Sequence, residues 1–405
     1  MQFHFKAKKK DGTITEGLRD AEDKLILAYD LRKEGMALFF AEPAGGNKIL
    51  QFLKWLNETV ITVGLHEKIV FARNLSAMIS AGLSISRALE ILEKQTSNKK
   101  LKQALLGISN GISQGKTLSD GLKNYPRIFS PLFIAMVHAG EESGGLAVSL
   151  KEISLHLEQS YTLLRKVRGA LIYPMIVVCA IIIIGILMLI FVVPTLTSTF
   201  KELNVALPAS TRFIIWLSDI LSNYTITFLI SSIALGITIF LAFRTHRGGK
   251  FFDFVILRIP FIGRLVKEVN TARTTRTLSS LITAGVPITQ STLITTDVLQ
   301  NFYYKRALAL ATGKIEKGAA IALMFKENTF LYPIMVGEMI EVGEETGKLS
   351  EMLLDIAHFY EEQVETATKD LSTIVEPVLM ILIGSAVGFF AVSMISPIYS
   401  LSSSI

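Results

Sequence analysis

The chain has 405 residues, half of them apolar, with a net charge of +6, which is enough to bury several cores and too apolar for a disordered tail. Its only cysteine, Cys179, excludes an intramolecular disulfide and a cysteine-cluster zinc site. The charge requires no nucleic acid, because anionic lipid headgroups are partner enough for basic residues that flank membrane spans.

Residues 1–46 read as a small α+β cytoplasmic module. Within it, "FHFKAKKKDGTITEG" predicts two short strands around an Asp-Gly turn, and "AEDKLILAYDLRKEG" a helix. The start is too polar for a signal peptide, so the first span is expected to direct insertion. Residues 47–65 follow as linker and amphipathic helix, with "KILQFLKWLNETV" lying either on the membrane or on the first bundle.

Residues 66–170 read as a helical domain: the apolar spacing of "IVFARNLSAMISAGLSISRALEILEKQ" is near 3.6, Gly82 closes one helix and Ser84 can cap the next. The stretch "SNGISQGKTL" resembles a phosphate-binding loop, but Asn110 stands where the first glycine is required and no strand precedes it. Nucleotide binding is therefore rejected there, and Gly115 is read as a helix C-cap.

Three runs without Asp, Glu, Lys or Arg then reach membrane length: Leu171 to Val193, Leu221 to Phe243 and Pro377 to Ile398. Crossing ~30 Å of hydrocarbon takes roughly 20 helical residues. The prediction is three transmembrane helices over 171–194, 221–243 and 376–398. An extracytoplasmic loop over 195–220, a cytoplasmic linker over 244–266, a second helical domain over 267–375 and an extracytoplasmic tail over 399–405 complete the chain. Arg165, Lys166 and Arg168 before the first span, with Arg244, Arg247 and Lys250 after the second, place 1–170 and 244–375 in the cytoplasm.

One shift of 203 residues superposes the two helical domains and the spans that follow them, since Gly140 meets Gly343 and Pro174 meets Pro377. "RNLSAMISAGLSI" meets "RTLSSLITAGVPI", so Arg73 pairs with Arg276 and Gly82 with Gly285 at repeated helix starts. The densest block is "HAGEESGGL" against "EVGEETGKL", which aligns Gly140, Glu141, Glu142 and Gly144 with Gly343, Glu344, Glu345 and Gly347. A glycine that ends one helix and a hydroxyl residue, Ser143 or Thr346, that caps the next would make this a helix corner. Two acidic corners could instead contact a basic partner or hold a hard cation through Glu141, Glu142, Glu344 and Glu345. General acid/base catalysis fits least, because no His, Cys or Ser partner is repeated with them.

Beyond each corner the stripe Leu150, Ile153 and Leu157 recurs as Leu353, Ile356 and Tyr360, a spacing suited to helix packing. Pro174 and Pro377 are either a repeated hinge within a helix that continues into the span or the first residue of a separate span. Glu376, whose counterpart is Tyr173, is a candidate contact at the membrane edge.

At "FARNLSAMISAGLSISRALEIL", "AGEESGGL", "VGEETGKL" and "VEPVLMIL" the chain resembles the inner-membrane platform proteins of type IV pilus and type II secretion machines, a family with two copies of an F-type domain. The resemblance covers essentially the whole chain. It implies a mostly α fold with two bundles of about six helices, self-association into a homo-oligomer, no cofactor and a non-enzymatic role. The implied partners are a cytoplasmic hexameric ATPase, a pilin or pseudopilin, other inner-membrane assembly proteins and membrane lipids. The second copy opens with "TARTTRTLSSLITAG", richer in threonine than the first, so the two bundles need not bind alike. The competing classes are a membrane subunit of a transporter driven by a separate ATPase and a metal-dependent membrane enzyme. Uncharged spans argue against an ion or proton pathway.

Overall fold

A computed structural model describes residues 2–9, 14–21, 23–43, 62–202 and 207–402. They form two compact units, Met1–Val63 and Gly64–Ile405. The predicted amphipathic helix over 48–60 and the Asp-Gly turn lie outside the described residues.

In the first unit, β1 (Gln2–Lys9) lies between β2 (Ile14–Asp20) and β3 (Met36–Pro43) in an antiparallel sheet, with α1 (Lys24–Lys33) joining β2 to β3. Alternation along β1 turns Phe5 and Ala7 to one face, where they pack on Leu27 and Leu31, one turn apart on α1. β3 is an addition to the sequence reading. Its "MALFFAEP" opens on the continuous apolar run Met36 to Ala41, which periodicity does not distinguish from helix or linker.

The second unit is helical and built twice. Its first copy comprises α2 (Leu65–Ser80), α3 (Ile85–Gln95), α4 (Lys99–Ser113), α5 (Leu118–Lys123), α6 (Pro131–Glu142) and α7 (Leu146–Leu187). A π turn, Met188–Val192, and α8 (Val193–Glu202) continue from α7. Then come α9 (Ala209–Asn223), α10 (Thr225–Arg244) and α11 (His246–Arg258). The second copy comprises α12 (Ile262–Thr283), α13 (Ile288–Val298), α14 (Phe302–Ile315), α15 (Ile321–Glu327), α16 (Ile334–Glu345) and α17 (Leu349–Ser402).

The duplication is visible in the backbone itself. Gly82 and Gly285 have φ of +86° and +87°, Gly115 and Gly318 +86° and +87°, Gly144 and Gly347 +71° and +70°. Each pair follows a helix in the left-handed region that glycine enters without steric cost. Side-chain bonds repeat as well: Ser76 donates to the Ala147 carbonyl (2.7 Å) and Ser279 to that of Ser350 (2.8 Å), tying the first helix of each copy to its last.

The cores differ in polarity. Phe71, Phe129 and Phe133 cluster in the first copy, with centroids 5.1 to 6.1 Å apart. Thr274 takes the place of Phe71 in the second copy, and its hydroxyl lies 3.2 Å from the Tyr332 hydroxyl. Tyr332 in turn packs edge-on against Tyr304 and Phe325.

Several predicted boundaries are corrected. The loop expected over 195–220 contains α8 and most of α9, and the linker expected over 244–266 is largely α11, whose Leu257 enters the second core. α12 begins at Ile262 rather than 267, and α17 carries the end of the chain as helix to Ser402 instead of leaving a tail from 399. The run 221–243 is not one helix, since α9 ends at Asn223 and α10 starts at Thr225. Among the described residues two helices are long and apolar enough to cross a membrane, Leu146–Phe200 and Leu349–Pro397, with Ile230–Arg244 a shorter apolar helix. Pro174 and Pro377 lie inside α7 and α17, which removes the alternative of a span that starts at the proline.

Candidate functional site

The paired glutamates have separate roles. Glu141, in the last turn of α6, accepts hydrogen bonds from the backbone N–H groups of Leu118 (2.5 Å) and Ser119 (3.0 Å), which open α5. Glu344 does the same at α15, accepting from Ile321 (2.8 Å) and Ala322 (2.9 Å). The first N–H groups of a helix have no intrahelical partner, and a carboxylate there also meets the positive end of the dipole. Glu142 and Glu345 are exposed; Glu142 lies 3.4 Å from His138. The four carboxylates therefore do not converge, and among the described residues no group of three His, Cys, Asp or Glu is placed to hold a metal ion.

The corner itself differs from its sequence reading. Gly140 and Gly343 lie within α6 and α16 rather than ending them, and the left-handed turn falls at Gly144 and Gly347. Ser143 is the C-cap of α6, donating back to the Ala139 carbonyl (2.8 Å), whereas Gly145 precedes α7 without a side-chain cap. Gly140 and Gly343 are small because the next helix crosses there: a Cβ on Gly140 would meet Ser149 Oγ at 2.5 Å, and one on Gly343 would meet Met352 Cγ at 2.9 Å.

The two copies meet along α7, α12 and α17. Leu163, Leu265 and Val364 form a shared apolar cluster with Val167 and Val269 against it. Lys166 on α7 donates to Glu365 on α17 (2.5 Å), and Lys369 does so from one turn away (3.0 Å). These two ammonium groups hold the Glu365 carboxyl down to about 2.

α12 is buried on most of its faces and is unusually polar there, with Asn270, Thr271, Thr274, Thr275 and Arg276 all inside. Thr274 and Thr275 meet the demand for partners by donating to the carbonyls one turn back, at 2.7 and 3.0 Å. Arg276 forms a bidentate pair with Glu361 on α17 (2.9 and 2.6 Å), and Nη2 also lies 3.2 Å from His358 Nδ1. Its repeat counterpart, Arg73 with Glu158, is the same pair in the open: side-chain exposures are 56% and 44%, against 10% and 16% for Arg276 and Glu361.

His156, on α7, is buried against this helix with Nδ1 3.2 Å from Ser280 Oγ. Burial, reinforced by Arg276 and Arg273, pushes its pKa down to about 4. Above the ordinary His value of about 6.5 the ring is neutral in both folded and unfolded chains; below it the unfolded chain takes up the proton first. Stability is therefore expected to fall as pH drops from about 6.5 to about 4, by roughly 3 kcal/mol in all. His156→Phe, which installs the residue found at Phe359, should flatten that slope in thermal unfolding at about pH 7 and about pH 5; a slope equal to that of the unsubstituted chain would refute the assignment.

Of the other predicted residues, Gly82 and Gly285 turn the chain after the helices that carry Arg73 and Arg276. Glu376 is exposed on α17 beside Pro377. His156 and the Ser280 partner escaped the sequence reading, although the threonine-rich opening of the second copy marked the helix that receives them.

The family described as "Type II secretion system (T2SS), protein F" matches this chain at residues 71–194 and again at 274–397. The chain is 34% identical to the type IV pilus assembly protein PilC of Thermus thermophilus, with 98% of each covered. It is also 34% identical to PilC of Myxococcus xanthus, covering 100% of this chain and 96% of that one. The type II secretion system protein F of Aeromonas hydrophila is 30% identical over 83% of this chain and 86% of its own length.

Proposed function

The chain belongs to the type II secretion system protein F family, whose members are structural platform proteins and not enzymes, and from that premise we propose that it is the inner-membrane platform on which a hexameric cytoplasmic ATPase drives assembly of a pilin or pseudopilin. One observation carries this reading: in both copies the helix that closes the bundle, α7 or α17, runs through a proline into an apolar segment of membrane length, with only the π turn Met188–Val192 set into it in the first copy. Force applied to either bundle then reaches the bilayer along backbone hydrogen bonds rather than through a loop.

Three spans complete the proposal, with α10 as the second, the N-terminus in the cytoplasm and the C-terminus outside. Pro174 and Pro377 act as hinges, because a proline removes one helical hydrogen bond. The exposed Glu142 and Glu345 are the acidic partner contacts, since Glu141 and Glu344 are engaged internally, and Glu376 contacts a neighbouring membrane helix. The test is gentle extraction of the tagged full chain from its native membrane and identification of what accompanies it. Co-purification of a secretion-type ATPase and a pilin-like protein, weakened by Glu142→Lys with Glu345→Lys, is the expected result. A transport ATPase with a solute-binding protein in their place would overturn it.

A further inference from the structure

α11 follows the apolar α10 after a single residue, and the corner is tight. Thr245 donates to the Ala242 carbonyl (2.6 Å) and accepts from the Gly248 N–H (3.2 Å). A Cβ on Gly248 would sit 2.0 Å from the Ala242 carbonyl oxygen, so only glycine allows α11 to start this close to the last turn of α10. Two turns further on, the Phe252 ring remains 4.7 Å from that of Phe243.

The two sides of α11 differ. One belongs to the second bundle: Leu257 is in its core, Phe254 packs against Tyr303 at 6.0 Å, and Asp253 accepts from the Phe302 N–H (2.8 Å). The other side presents Arg247 and Phe251, both exposed, with Phe251 at 69%, and at its border the exposed Arg258 lies over the Phe254 ring, 4.4 Å from the centroid. The surface continues past the helix into Phe261, which is 62% exposed and held at φ +63°, ψ −53° at the centre of a γ-turn closed by the Ile262 N–H to the Pro260 carbonyl (2.8 Å), a conformation rare for an aromatic residue.

From Arg244 to Glu268 there are six basic residues, counting Lys and Arg, and two acidic ones; Asp253 is engaged inside the bundle and Glu268 pairs with Arg264 (2.8 Å), which leaves an excess of basic charge around α11. Aromatic rings among arginines at the mouth of an apolar helix have the chemistry of a surface that enters the headgroup layer of an anionic bilayer. We propose that the outer face of α11 and the corner at Phe261 form a docking surface for anionic phospholipid, seating the second bundle on the membrane. Its equivalent in the first copy would fall at 43–55, where only Pro43 is among the described residues. The inference rests on α10 being a membrane span.

The experiment uses the full chain with Cys179→Ala, spin-labelled at Phe251→Cys or, as reference, at Ile237→Cys within α10. Collision with oxygen and with an aqueous nickel chelate is compared in nanodiscs with and without phosphatidylglycerol. The label at 251 is expected to sit in the headgroup layer with phosphatidylglycerol. It should shift to the aqueous phase in phosphatidylcholine alone, and in the Arg247→Gln, Arg258→Gln variant. An aqueous signal at 251 in every bilayer while 237 remains lipid-embedded would overturn the docking surface and leave the span intact. An aqueous signal at both positions would overturn the span as well. A signal at 251 that is lipid-embedded regardless of headgroup charge would overturn the selection for anionic lipid.

Discussion

Glu361→Ala is expected to destabilise the chain by about 3–5 kcal/mol, whereas the equivalent Glu158→Ala should cost at most about 1 kcal/mol. The two glutamates meet the same residue type, Glu361 through two hydrogen bonds to Arg276 and Glu158 through one to Arg73, and the extra bond alone would not separate the losses so far. What differs is water: Arg73 and Glu158 are half exposed, while Arg276 and Glu361 are nearly covered by α12 and α17. Deleting Glu361 leaves a guanidinium with little solvent to replace its partner, and the neighbouring His358, 3.2 Å away, has no negative charge to put in its place. Replacing both members with apolar residues, as in Arg276→Met with Glu361→Leu, should recover much of the loss, because desolvation rather than attraction dominates a buried pair. Thermal unfolding of the full chain in detergent checks all three, and equal losses at 158 and 361 would sink the burial argument.

The second large effect belongs to the capping glutamates. Glu344→Ala strips two charge-assisted hydrogen bonds from the start of α15 and leaves the Ile321 and Ala322 N–H groups without partners. A loss of about 2–4 kcal/mol is expected, and a similar one for Glu141→Ala at α5. Glu345→Ala, one residue along and exposed, should stay within about 0.5 kcal/mol. Limited proteolysis offers a local readout, since the uncapped α15 should open before the rest of the bundle. Were Glu344→Ala to leave the unfolding midpoint and the cleavage pattern unchanged while abolishing partner capture, the carboxylate would be a docking residue and the capping role would fail.

Much of this architecture was legible because it rests on local rules. The glycines of each copy turn the chain where helical spacing stops, and a 203-residue offset needs only identity to be seen. Membrane-length runs at Leu171 and Pro377 announce themselves by the absence of charge. The function of Glu141 was hidden for a physical reason: its partners lie 22 and 23 residues earlier in the chain, and a side chain that caps a helix behind it leaves no periodic signal. Gly140 was misplaced because a glycine near a helix end can serve the turn or the crossing of a neighbour, and only packing separates the two. α11 reads as linker in the sequence for the opposite reason, since arginines and paired glycines obscure a helix held by Leu257 and Asp253. Threonine carries little helix preference, so the interior of α12 depended on contacts with α7 and α17 that no local pattern displays.

The unbroken course of α17 sets a ratio of movements. From Leu349 to Pro377 the helix advances roughly 42 Å at about 1.5 Å per residue. A tilt of about 10° at the proline would therefore sweep the bundle end through roughly 7 Å, more than one helical turn, while the segment beyond the pivot hardly shifts. If Pro377 pivots as proposed, the same arm would trade a long, weak push at the acidic corner for a short, strong one within the bilayer. On that proposed hinge the gain is set by the number of residues between Gly347 and Pro377, an interval whose Ser350, Glu361 and Glu365 tie α17 to α12 and α7, so the bundle swings with the arm as one body.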